Sequence, residues 1–303
     1  MTTDFESLAQ QLEQHPDYRV LRRLIPRPLI TPELAGHPLR RGVILDTETT
    51  GFDVANDRVI ELGMLLFEFD PVTGAIHKVL EVFDELEDPG FEIPAASVAV
   101  HHITDDMVRD KRIDDARVAA LLKNVDVVIA HNASFDRPFV EARWPVFETL
   151  NWGCSIKDID WREEGFGSAK LEYLLSTQGF FYEAHRAETD CWALIELLNQ
   201  VLPQSQQTAL LSLLEKLNQA QQKVYAINSP FETKDMLKAR GYRWSADLRC
   251  WSRVLASEAD MKQELSWLKK NVYGDRNARV EVESLGGTVR YSTREGHKEV
   301  VTL

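Results

Sequence analysis

The sequence predicts an α/β fold class: a mixed sheet flanked by helices, followed by a small α+β C-terminal domain. Three observations predict it. Apolar runs of strand length occur near residues 43–46, 58–69, 76–84 and 127–130, each bounded by polar residues. Apolar positions at helical spacing occupy 105–123, the stretch after Ser134, 169–178 and 187–202. Three strands followed by alternating helices and strands fit one mixed sheet with helices on its faces. Finally, composition changes at Lys223: from there on 15 Lys and Arg meet 11 Asp and Glu, a net of +4, against −17 upstream.

Residues 1–42 open with Phe5, Leu8 and Leu12 at helical spacing and close on Pro26, Pro28, Pro32 and Pro38. They read as a helical arm and a Pro-rich connector that packs onto the body or onto a protein partner. The first strand, Val43-Ile44-Leu45, runs into Asp46-Thr47-Glu48-Thr49-Thr50-Gly51. Strand alternation puts Asp46 and Glu48 on one face, with no basic residue in the run. Burying like charges together is costly unless something cationic compensates. A divalent ion with hard oxygen ligands is one answer; ordinary turn chemistry is the other.

The next strand, Val59 to Phe67, is apolar except for Glu61, a carboxylate that needs a partner. Val127–Ala130 leads through His131-Asn132-Ala133-Ser134-Phe135 to Asp136 in the first turn of a helix. A carboxylate there is either functional or a partner for the helix dipole. His185-Arg186-Ala187-Glu188-Thr189-Asp190 enters a helix at Cys191-Trp192-Ala193-Leu194. Asp190 therefore sits near a helix start and His185 in the loop before it. Leu210, Leu211, Leu213, Leu214 and Leu217 mark a linking helix within 203–222. Beyond it a helix starts after Pro230 and stops at Gly241, and Tyr242-Arg243-Trp244 pairs with Trp251-Ser252-Arg253 as a hairpin.

Asp46-x-Glu48 closing a first strand, Asp136 after His-Asn-x-x-Phe, and His185 five residues before Asp190 together resemble the three motifs of the DEDDh exonucleases. That family includes the proofreading epsilon subunit of bacterial DNA polymerase III and ribonuclease T. The resemblance covers about residues 43–200, and order, spacing and context all agree. A sister subclass places Tyr four residues before the last Asp. Arg186 stands there, so the histidine variant is indicated. Val100-His101-His102-Ile103-Thr104 resembles the family's loop near the terminal nucleotide, with His102 where Gly is usual.

The resemblance implies a ribonuclease-H-like fold over residues 43–202 and a 3′–5′ exonuclease with two divalent cations, Mg2+ or Mn2+. Two such ions about 4 Å apart can activate the attacking water and stabilise the leaving oxygen of a phosphodiester. Asp46 would bridge the ions, Glu48 and Asp190 help hold one, and Asp136 act mainly through water. Imidazole exchanges protons near neutral pH, so His185 is the candidate base. Thr49, Gly51, Glu61, His101, Asn132 and Phe135 are the candidate substrate contacts. For Gly51 the alternative is turn formation, and for Phe135 it is core packing, which is the favoured reading.

At 303 residues the chain has room for two domains. No apolar run reaches the 18 or so residues of a membrane span, and the acidic, polar start is unlike a secretory signal. Cys154, Cys191 and Cys250 are far apart, which suggests a reducing cytoplasm. The excess acid upstream opposes nonspecific polyanion binding, and the basic tail of 223–303 could offset it. There Arg240, Arg243, Trp244 and Trp251 are candidates for stacking on unpaired bases and pairing with phosphates. The alternative is that both Trp form a small core. Single-stranded DNA with a free 3′ end is the expected substrate, an RNA end the alternative. A docking module on the same fold is the reading from another class.

Overall fold

The computed structural model describes residues 4–32, 36–219, 221–274 and 276–303. The expected N-terminal arm therefore lies partly outside the described residues, at 1–3 and 33–35. Helix α1 (Phe5–Glu13) is capped by Asp4, whose side chain accepts from Ser7 N–H, and none of its residues is buried. Arg22 ties it down by pairing with Glu6 and Glu13. Strand β1 (Arg22–Arg23) pairs in parallel with Phe180–Phe181. The Pro-rich connector then runs along the sheet edge, where Val79 N–H donates to Pro28 O at 2.7 Å and Ile30 N–H to His77 O at 2.9 Å.

The main sheet contains β2 (Arg40–Thr49), β3 (Val59–Phe69), β4 (Ile76–Leu86), β5 (Val127–Ala130) and β6 (Trp152–Cys154), in the order β4-β3-β2-β5-β6. β4, β3 and β2 are antiparallel, while β2, β5 and β6 are parallel. Both faces are covered, which is why the β2 run is continuously apolar. Ile44 faces one core with Leu65, Ile129 and Cys191, and Val43 and Leu45 face the other with Val128, Phe139 and Val140. The same alternation carries on to the end of the strand: Asp46 and Glu48 share Ile44's side, and Thr47 takes the opposite one.

The helical stretch expected at 105–123 is broken. Helix α2 (Ala95–His101) precedes it, and α3 (Asp105–Val108) and α4 (Asp115–Leu121) divide it. Asp110 turns the chain at φ +58°, and Asp114 caps α4 through the N–H groups of Ala116 and Arg117. Then come α5 (Ala133–Arg143), α6 (Leu171–Thr177), β7 (Phe180–Phe181) and α7 (Ala187–Asn199). The linking helix is shorter than expected. It is α8 (Ala209–Leu217), which buries Ala209, Leu210 and Leu213 in the main core.

A second, wholly antiparallel sheet completes the chain: β8 (Gln221–Ala226), β9 (Arg243–Ser245), β10 (Cys250–Leu255), β11 (Arg279–Leu285) and β12 (His297–Thr302), in the order β12-β11-β8-β10-β9. Helices α9 (Lys234–Ala239) and α10 (Glu258–Leu268) cover one face over Val224, Ala226, Leu237, Leu255 and Leu268. Gly241, at φ +91°, turns the chain after α9, and Trp244 stands opposite Trp251 in the hairpin. The segment between β11 and β12 reaches back to the first body. Arg137, fully buried on α5, donates to the carbonyls of Gly287, Thr288 and Arg290. Arg290 is itself buried against Asp158, and Arg294 pairs with Glu141. Among the described residues, no helix is long and apolar enough to cross a membrane.

Candidate active site

Side-chain alternation along β2 aims Asp46 and Glu48 toward the start of α7. There Asp190 completes a group of three carboxylates whose oxygens lie within 4.8 Å of one another. Asp190 is held by Tyr182 Oη at 3.0 Å and by the N–H groups of His185 and Arg186 at 2.8 and 3.1 Å. Its helix comes this close because β3 carries Gly63. A Cβ there would sit 2.5 Å from the carbonyl carbon of Ala187 and 2.7 Å from Glu188 N. Thr47, on the other side of β2, holds Asp136 on α5: its N–H and Oγ1 reach Asp136 Oδ1 at 3.1 and 2.9 Å. Both bonds fall on one oxygen.

The four carboxylates line one open pocket of about 670 Å³, together with Asn132, Phe135 and His185. His185 is exposed on its rim, in a left-handed backbone conformation at φ +69°. Burial pushes Glu48 up to about 8, with repulsion from Asp190, Glu61 and Asp136 adding to it. Burial likewise raises Asp136 to about 7 and Asp46 well above the usual range. Asp190 is raised for the same first reason. Bare carboxylates at this spacing repel, and oxygen-only donors in this number suit a hard divalent cation. The donor set fits such an ion, with Asp46, Glu48 and Asp190 as the candidate direct ligands.

Four candidate substrate contacts lie off the pocket wall. Glu61 is fully buried; Arg186 forks onto it at 2.6 Å, and Ala187 N–H donates to it at 3.0 Å. It is the counter-charge of Arg186 and is not exposed to a ligand. His101 is not in a loop. It ends α2 with 2 % exposure, and its Nδ1 accepts from Ile103 N–H at 3.0 Å. His102 is the left-handed cap of that helix at φ +61°, a conformation glycine adopts without strain. Thr49 donates to Gly51 O at 2.6 Å, so this pair forms the turn after β2. A Cβ on Gly51 would meet the Asp57 carboxylate at 2.4 Å. Phe135, favoured as core, is half-buried on the pocket wall, with Phe52 against its edge at 6.0 Å.

At the end of α9, Arg240 is engaged by Glu264 at 2.9 Å and lies over the Trp267 ring. Trp251 packs against the local core. Arg243 and Trp244 remain exposed. Tyr182, Thr47 and Gly63 hold the site together without standing out in the sequence, and Arg186, which marks the subclass there, proves to hold Glu61. Tyr182 comes after two Phe and reads as one more apolar residue.

The model of the RNase T exonuclease family matches residues 43–198. The chain belongs to this exonuclease family. Among its relatives, the DNA polymerase III subunit epsilon of Treponema pallidum is 28 % identical over 166 residues, 52 % of this chain and 74 % of that protein. The PolC-type DNA polymerase III of Lacticaseibacillus paracasei is 32 % identical over 101 residues, 33 % of this chain. The match spans only 6 % of that polymerase's length. The exonuclease fold also recurs in E. coli exonuclease I, solved in complex with a dA16 oligonucleotide. The likeness has a TM-score of 0.50 at 16 % identity, covering 77 % of this chain and 71 % of that one.

Proposed function

We propose that the chain is a divalent-metal-dependent exonuclease releasing nucleoside 5′-monophosphates from the 3′ end of single-stranded DNA. Residues 43–202 would be its catalytic domain and 223–303 a smaller second domain. One observation carries the reading: carboxylates from β2, α5 and α7 converge on one open pocket with His185 on its rim. Asp46, Glu48 and Asp190 would hold Mg2+ or Mn2+ directly. Asp136, with one oxygen engaged by Thr47, would act through water. When bound, two such ions supply positive charge to the phosphoryl group and acidity to the attacking water.

The chain's own groups supply the rest. His185 takes the proton from the attacking water, help typically worth about 10²–10⁴ in rate. Its main-chain N–H donates to Asp190 at 2.8 Å, which anchors the His185 backbone beside that carboxylate. Phe135 and Phe52 present an aromatic wall suited to the terminal base. The relatives named as DNA polymerase III components favour DNA.

The test is digestion of matched 5′-labelled DNA and RNA oligonucleotides in Mg2+, in Mn2+ and in EDTA. The expected result is a ladder shortening from the 3′ end, faster on DNA and absent in EDTA. Asp46→Asn should lower turnover by at least about 10²–10³. His185→Ala should lower it by about 10²–10⁴ while calorimetry still detects metal binding. Release of labelled mononucleotide from the 5′ end, or full turnover by Asp46→Asn, would defeat the proposal.

A further inference from the structure

A trough of about 780 Å³ lies beside the catalytic pocket, walled by Ser134 and Lys157 on one side and Lys223, Arg243 and Arg253 on the other. The two cavities share a thin wall. Ser134 lines the trough and its neighbour Phe135 the pocket; Lys157 and Ile156 divide in the same way. Lys157 Nζ donates to Ser134 Oγ at 2.6 Å, which puts an ammonium at the junction.

Strand register explains why the far wall is basic. Arg243 stands opposite Ser252, and Lys223 opposite Val254. Alternation puts these on the face opposite Val224, Ala226 and Leu255, which pack with α9 and α10. The uncovered face turns toward the catalytic body. No carboxylate lines the trough among the described residues. Arg253 is engaged by Glu264 and Arg290 by Asp158. Glu283, opposite Lys223 on β11, accepts from Tyr225 Oη and Gly296 N–H. Lys157, Lys223 and Arg243 have no ion-pair partner among the described residues. Three unpaired cations in one concavity run against a chain whose net charge is −13. Trp244 pairs with Trp251 across the hairpin, so its ring lies on the other face of the sheet, against Trp251 at 5.6 Å.

We infer that this trough carries the unpaired strand leading into the catalytic pocket, with Lys157, Lys223 and Arg243 on successive phosphates. The inference rests on the exonuclease reading, since it takes the pocket as the seat of the 3′ terminus. An acid-lined pocket repels a polyanion at distance, and cations beside it reverse that.

The experiment is fluorescence anisotropy in EDTA, where nothing is cut, with 5′-labelled oligothymidylates of about 20 and about 4 nucleotides. The parent protein should favour the longer probe. The triple variant Lys157→Gln/Lys223→Gln/Arg243→Gln should lose most of that advantage, about 10- to 100-fold. Its slope of log affinity against log salt should fall by roughly 2, near 0.7 for each phosphate no longer neutralised. Lys223→Arg/Arg243→Lys, which keeps the charge, should keep the slope. A triple variant with the parent's length preference and salt slope overturns the inference. Failure of the parent to cut any oligonucleotide in Mg2+ would instead overturn the catalytic reading, and the two outcomes are read in separate assays.

Discussion

The two cavities that meet at Ser134 and Phe135 are similar in size, about 670 and about 780 Å³, and opposite in charge. In the first, two of the four carboxylates are pinned by rigid partners: Asp136 by Thr47, and Asp190 by Tyr182 and two backbone N–H groups. Their repulsion is built into the fold and would be relieved by a bound cation. In the second, flexible Lys and Arg stems hold charge, an arrangement that can follow a ligand rather than define one point. On the proposed function, the contrast separates fixing a phosphodiester from holding the strand around it.

The hinge of the comparison is Arg137, which comes directly after Asp136 on α5 and donates to three carbonyls of the 287–290 segment and to Glu141. Two functions sit on one helix: its first turn holds a site carboxylate, and the next residue clamps the second sheet. Arg137→Ala should therefore destabilise the whole protein by about 3–5 kcal/mol, as expected when one partner of a buried pair is removed. Urea unfolding reads it. A change under about 0.5 kcal/mol would mean that the two regions are not interlocked. Deleting 223–303 is a poorer probe, because Arg137, Glu141 and Asp158 would all lose partners at once.

Gly63 tests the first cavity alone. Gly63→Ala puts a methyl against the backbone of Ala187 and Glu188, so α7 and Asp190 must shift. The expected cost is about 1–3 kcal/mol in stability and on the order of 10² in kcat, the scale of a displacement near 1 Å at a catalytic group. Affinity for the longer oligonucleotide in EDTA should change less than about twofold, because no trough residue lies on α7. Loss of that affinity together with kcat would show the cavities to be a single unit.

Legibility in the sequence tracks physical range. Strand alternation is local, so it places Asp46 and Glu48 on one face, and helix starts are local, so they place Asp136 and Asp190 in first turns. Arg186 answers Glu61 across 125 positions, and Gly63 matters only because α7 lands on it. Neither fact leaves a local signature. His101 reads as a loop residue because α2 is short and begins at a proline, Pro94, and nothing in Ala95–His101 repeats at a recognisable period. Arg137 sits mid-helix, where an arginine ordinarily faces solvent. Only the distant 287–290 carbonyls make it a buried residue.

The smallest effect concerns how far the acidic character of the first cavity extends beyond its candidate metal ligands. Asp84 on β4 has a buried Oδ1 with no hydrogen-bond partner. Burial, with Glu61 and Glu188 nearby, pushes it from 3.8 up to about 7. A carboxyl raised in the folded state contributes stability that is full below its unfolded value and is lost as pH rises through the folded one. Asp84 should thus weaken the fold progressively between about pH 4 and pH 7. Asp84→Asn removes the charge, so its Tm should gain on the parent's by at least about 2 °C between pH 5 and pH 8. Saturating Mg2+ should leave that gain in place, since Asp84 is outside the group of three carboxylates that can share an ion. If Mg2+ abolishes it, the acidic cluster titrates as one body with the metal site, and the boundary drawn around the catalytic carboxylates must move outward to include β4.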